Sequence, residues 1–156
     1  MVDSPIQHSA INSLQVKSKE WVLFTLSYSC YALTNCAYLD STFKQRAVQH
    51  IDKAIQQAMS SQVSRYFTNH NPCLLSIDSN ASVLYIGHLN LMIGCYRKLT
   101  RDTKYDKLNE VLSLSLYNRF CDSKFMCLES YPGHIWIPDN TVAIASLRLY
   151  EQYANS

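Results

Sequence analysis

Apolar residues along this chain follow two kinds of spacing, and the two alternate. From about Val16 to Leu39, Trp21, Val22, Phe24, Leu26, Tyr28, Tyr31, Leu33 and Cys36 point around most of a helical circumference. A helix apolar on every side needs cover on every side. From about Thr42 to Tyr66 the apolar positions Phe43, Ala47, Ile51, Ala54, Ile55 and Ala58 recur at steps of three and four, with polar and charged residues between them. That spacing draws one narrow stripe and predicts a helix with one face in water. Thr42 with Gln45 fits a capping box at its start.

The next segment, about Ala81 to Leu99, has no charge between Asp78 and Arg97 and again reads as buried all round. Its Gly87 and Gly94 stand on nearly one face, where the missing side chains permit close helix approach. A fourth helix, about Lys104 to Phe120, returns to the striped pattern through Tyr105, Leu108, Val111 and Leu112. Residues 124–138 break the helical rhythm. Phe125 to Leu128 and His134 to Ile137 are short β-prone runs around Tyr131-Pro132-Gly133, and predict a small β-hairpin or an extended loop. Asp139-Asn140-Thr141 then supplies cap chemistry for a mostly buried fifth helix, about Asn140 to Tyr153.

The reading is therefore all-α: antiparallel helical hairpins in one domain over 16–156, with buried helices inside, amphipathic ones outside, and a flexible polar segment over 1–15. Three inner-type helices carry more apolar surface than two outer ones can cover, which predicts self-association or a protein partner.

Composition narrows the class. At 47% hydrophobic and 17% charged the chain is globular rather than disordered. A net charge of +2, with no basic stripe, argues against nucleic acid. The 6 cysteines form no C-x-x-C pair and several lie in apolar helical stretches, which favours reduced thiols and a cytoplasmic location. Cys121 and Cys127 flank a short connection and leave a bridge open. The N-terminus does not have the layout of a signal peptide. Trp21–Leu39 is uncharged, but its Thr25, Ser27, Ser29, Thr34 and Asn35 fit a core helix better than a membrane span. The sequon Asn80-Ala81-Ser82 carries no weight alone.

Two segments carry a resemblance. Tyr85-Ile86-Gly87-His88-Leu89-Asn90-Leu91-Met92-Ile93-Gly94-Cys95-Tyr96-Arg97-Lys98-Leu99-Thr100 resembles an inner helix and turn of the six-hairpin (α/α)-toroid superfamily. Glu129-Ser130-Tyr131-Pro132-Gly133-His134-Ile135-Trp136-Ile137-Pro138-Asp139-Asn140 resembles a loop-and-helix entry of the same group. That group includes glycoside hydrolases, sugar epimerases and enzymes of the linalool dehydratase-isomerase type. The helices predicted here make less than half of such a ring, so the resemblance implies a partial toroid: a fragment, a part that assembles with copies of itself, or a shortened relative.

The resemblance places a ligand at the ends of the inner helices, facing the 129–140 segment. It implies Asp139 and Glu129 as paired carboxylates for acid–base work, and His134 as a proton shuttle. Tyr131 and Trp136 would stack on a sugar ring or line an apolar pocket, with Asn140 beside them. His88 and Asn90, polar residues inside an apolar helix, would line the funnel. Each has a plainer reading. Asp139 fits a helix N-cap, Tyr131-Pro132-Gly133 a turn, Trp136 a core side chain, and His88 a hydrogen-bonded core histidine. His134 has no second ligand at metal spacing, and neither a metal nor a cofactor is expected. The expected function is a partial toroid domain, carbohydrate-active or dehydratase-like, that binds a small polar or carbohydrate-like ligand. The alternative is a non-catalytic scaffold that binds proteins through its incomplete ring edge.

Overall fold

Helix accounts for every regular element among the described residues of the computed structural model, which are 19–68 and 81–154. The segment read as a flexible N-terminus, most of the loop before the third predicted helix, Cys73 and Asn80 of the sequon lie outside them. The helices are α1 (Lys19–Leu39), α2 (Lys44–Met59), the single turn α3 (Ser61–Ser64), α4 (Val83–Leu99), α5 (Asp106–Asp122) and α6 (Ile137–Ala154). The all-α expectation holds.

The layering follows from burial. Helix α4 is enclosed almost completely, with Leu84, Ile86, Leu89, Met92 and Ile93 all at 1% exposure or less. It packs most extensively on α6, then on α1, α2 and α5, whereas α1 and α6 do not pack on each other. The three therefore form a row with α4 at its centre. Helix α2 covers the α1–α4 seam and α5 the α4–α6 seam. The stripe predicted for α2 is its buried face: Ala47, Ile51, Ala54, Ile55 and Ala58.

The two glycines of α4 face α6. A Cβ on Gly87 would stand 3.0 Å from both Cα and Cβ of Ala143, and one on Gly94 would stand 2.6 Å from Cδ2 of Leu149. The close approach expected from their spacing is present, and α6 is the helix that makes it.

Several boundaries differ from the sequence reading. Helix α2 stops at Met59 instead of running to Tyr66. Ser60 turns extended (φ −61°, ψ 150°) and its hydroxyl donates to the carbonyl of Gln57. The break lets Phe67 fold back and stack on Tyr85, ring centroids 5.3 Å apart. Thr42 does not cap α2, whose N-cap Phe43 makes no side-chain bond; instead Asp40 caps the 3-10 turn Ser41–Phe43, its Oδ1 accepting from the Thr42 amide at 2.9 Å and the Thr42 hydroxyl at 2.6 Å. Helix α6 begins at Ile137, three residues before the predicted start. Pro138 sits in its first turn, where a missing N–H breaks no helical bond. The 124–138 region is an extended loop whose only pairing outside helices is the isolated bridge Tyr131–His134.

The larger correction concerns the flanking helices. Helix α1 was expected to be covered all round, yet Trp21 (59% exposed), Tyr28, Tyr38 and Leu39 face outward. On α6, Ile137 and Ile144 do the same. Only the central helix has neighbours on both sides. The flanking helices have inner-type composition and a single inner neighbour each.

Candidate functional site

A cleft of about 560 Å³ opens where the start of α4, the end of α5 and the loop before α6 meet. Tyr66 and Phe67 form one wall, Arg119 and Asp122 of α5 another, and the segment Cys127–Pro132 the third, with Ser82 at the foot of α4.

The loop is built to hold its shape. The Val83 amide donates to the carbonyl of Glu129 at 3.1 Å, and the Ser82 hydroxyl to the carbonyl of Ser130 at 2.6 Å. These bonds use donors at the start of α4, where no intrahelical acceptor exists. The tight turn needs Gly133 at φ 77°. Its amide donates to Oε2 of Glu129 at 3.1 Å, so this carboxylate braces the turn from the cleft side.

Asn140 locks the loop onto α6. Its Oδ1 accepts from the Leu128 amide at 2.7 Å, and its Nδ2 donates to the carbonyls of Leu128 (3.0 Å) and Trp136 (2.8 Å). With its amide spent on backbone and the residue buried, Asn140 is a clamp rather than a ligand contact.

Asp139 is the unusual group. The helix begins two residues before it, so it is not the cap that its neighbours suggested. The residue is 4% exposed, and its Oδ2 has no hydrogen-bond partner. Burial pushes its carboxyl above the usual carboxylate range, and the neighbouring Ser130 hydroxyl works in the opposite direction. Ser130 is fully buried, and its Oγ neighbours the Asp139 carboxyl without a hydrogen bond of ordinary geometry. Unpaired buried oxygens are uncommon because their desolvation is uncompensated.

Tyr131 joins this group to a residue far away in sequence. Its hydroxyl donates to Oε1 of Glu20, in the first turn of α1, at 3.2 Å. The Tyr66 hydroxyl donates to the same oxygen at 3.2 Å. Burial and then Glu20 raise the pKa of both phenols, and Asp139 adds to the effect at Tyr131. Trp136 packs edge-on against Tyr131, ring centroids 5.6 Å apart, and is half exposed rather than in the core.

The structure thus places Glu129 and Tyr131 in the lining of the cleft and packs Trp136 on Tyr131, whereas Trp136 and the buried Asp139 are not themselves part of that lining. It leaves His134 exposed on the turn, where its backbone forms the bridge to Tyr131. It removes His88 and Asn90 from the site. His88 is 1% exposed and enclosed by Phe24, Tyr28 and Tyr31, with Nδ1 3.0 Å from the Tyr31 hydroxyl. Burial lowers its pKa to about 4, so the ring is neutral in the core. Asn90 is fully buried and bonded to Ser113, Ser146 and Asn109. Both follow the plainer reading, since a buried polar group is retained when its bonds are made.

Glu20, Tyr66, Ser130 and Arg119 were not legible as site residues. Ser130 stands inside the quoted loop, but Glu20 and Tyr66 reach the site only through the tertiary fold. Among the described residues no group of His, Cys, Asp and Glu side chains is arranged to hold a metal, no helix is long and apolar enough to cross a membrane, and Cys30, Cys36, Cys95, Cys121 and Cys127 are free thiols. No protein-family model matches the chain.

Proposed function

We propose that this chain binds a small polar, carbohydrate-like ligand in the cleft beside the 129–140 loop, with Asp139 as the general-acid carboxyl and Glu129 as the second carboxylate. The observation that carries this reading is Asp139 itself. A buried carboxyl with an unpaired oxygen costs stability, and a perturbed acid beside a cleft is a mark of functional sites. The cleft's aromatic side chains, Tyr66, Phe67 and Tyr131, together with its serine hydroxyls, suit the faces and edges of a sugar ring. A carboxyl whose affinity for its proton is raised by burial suits the role of a general acid toward a leaving oxygen. The row of inner helices with outer helices over the seams supports the resemblance to a partial (α/α) toroid, whose ligand would lie at this end. The free thiols fit a cytosolic setting. The test is ligand-detected NMR with a panel of neutral mono- and disaccharides. Binding that is lost in Asp139→Asn and Trp136→Ala supports the reading, and binding unchanged by both removes it.

A second reading has its own observation. Trp21, Tyr28, Tyr38 and Leu39 leave a largely aromatic stripe on α1, and Ile137 and Ile144 stand out from α6. Such surfaces suit a protein-interaction module. A chain that stays monomeric at high concentration, with α1 amides exchanging no more slowly than those of a solvated helix, would count against it.

A further inference from the structure

We propose that Glu20 is the positioning residue of the cleft: one of its carboxylate oxygens holds the tyrosines of two of its walls and so fixes how these walls stand to each other. This rests on the cleft being a ligand site, and it adds the residue that fixes the site's shape.

Tyr66 and Tyr131 arrive from unconnected parts of the chain. Tyr66 follows the α3 turn and Tyr131 sits on the loop before α6, and both line the cleft. Both hydroxyls donate to Oε1 of Glu20, each at 3.2 Å. This distance lies beyond the usual range of about 2.5–3.0 Å for O–H···O bonds, so the arrangement is a loose strap that can tighten. Long hydrogen bonds at an empty site that shorten when ligand arrives are common in enzymes. Glu20 stands in the first turn of α1, where the helix dipole favours a negative charge. The other carboxylate near Tyr131 is Asp139 on α6, and the neighbouring ring is Trp136. Glu20 is the acceptor that the two tyrosine hydroxyls share.

The coupling has a spectroscopic readout that a purely structural glutamate would not give. Ionisation of tyrosines is followed by their ultraviolet absorbance in the wild type, Glu20→Gln, Tyr66→Phe and Tyr131→Phe, with circular dichroism as the check on folding. Removing the charge while keeping the shape is expected to lower the titration of both tyrosines by about one pH unit. The two phenylalanine variants identify which transition belongs to which ring. In the wild type, through-space NMR contacts from both hydroxyl protons to the Glu20 side chain are expected, which covers the case of a variant that fails to fold. With a saccharide that binds the wild type, Glu20→Gln is expected to weaken binding about tenfold, and adding Tyr66→Phe to it is expected to weaken it little further. Two unmoved titrations, or absent contacts in the wild type, overturn the assignment of Glu20. If no saccharide binds the wild type, the proposed function fails instead, and the titration still decides the role of Glu20.

Discussion

The side-chain amide of Asn109 donates to the side-chain carbonyl of Asn90 at 2.6 Å, joining α5 to α4 in a fully buried position. Asn90 in turn donates to Ser113 and Ser146, both at 3.0 Å, so one residue on the central helix ties α5 and α6 to it. Arg97 extends the network outward, donating to Oδ1 of Asn109 at 2.8 Å and pairing with Asp106 at 2.9 Å, while the rings of Tyr150 and Tyr153 lie about 6.0 and 5.3 Å from its guanidinium. The hydrogen bonds satisfy nearly all of what Asn90 can offer.

Asn90→Ala strands three buried polar partners as well as leaving a cavity. The expected loss is about 2–4 kcal/mol, measured by urea denaturation. Ser146→Ala removes two bonds, the one accepted from Asn90 and the one donated to the carbonyl of Ala143 at 2.7 Å, but strands only one side chain, and should cost about 1 kcal/mol. Equal effects from the two variants would show that Asn90 is not the hub.

The two glycines of α4 should respond differently to alanine. At Gly87 the new methyl meets the backbone of Ala143, which cannot move without shifting α6, and a loss of about 1–3 kcal/mol is expected despite the gain in helix propensity. At Gly94 the obstacle is the tip of Leu149, a half-buried and flexible side chain, so Gly94→Ala should lie near neutral. Thermal melts of the two variants compare them directly. A larger loss at Gly94 would contradict the backbone approach seen at Gly87.

Acid should unfold this protein partly through His88. Its folded pKa of about 4 lies below the ordinary value of 6.5, so the unfolded chain takes up this proton first as pH falls. The stability His88 contributes is complete above pH 6.5 and is lost progressively down to about pH 4. The total is about 3 kcal/mol, at about 1.4 kcal/mol per pH unit. Replacing His88 with Gln should flatten the pH dependence in that window. A slope that survives the substitution would assign it to other groups.

Asp139 carries the opposite sign. Its raised folded pKa means that its contribution is greatest below 3.8, its ordinary value, and falls as pH rises through the folded pKa. Asp139→Asn should therefore stabilise the fold at neutral pH, while abolishing ligand binding. A destabilised Asn variant at neutral pH would return Asp139 to a structural role.

The helical class was legible because spacings of three and four are a local property, and the stripe of Ala47, Ile51, Ala54, Ile55 and Ala58 needs no knowledge of what covers it. Gly87 and Gly94 were legible for the same reason. The exposure of Trp21 and Tyr28 was not, since an apolar helix states a need for neighbours and not their number. Nor was the break at Ser60, where tertiary packing of Phe67 on Tyr85 outweighs a continuous helical pattern. In the site, Tyr131 and Asp139 stood within one loop and were readable together. Glu20 was not, because only the fold brings the first turn of α1 to the loop before α6.

The central claim is that the cleft beside the 129–140 loop takes a small polar ligand through Asp139. The most direct measurement is an amide NMR titration of the chain with neutral saccharides, run in parallel on wild type and Asp139→Asn. The account predicts saturable shifts grouped at Ser82, Glu129, Ser130 and Tyr131 in the wild type and their loss in the variant. Saturable shifts grouped elsewhere, identical shifts in both proteins, or no shifts at all in the wild type would contradict it.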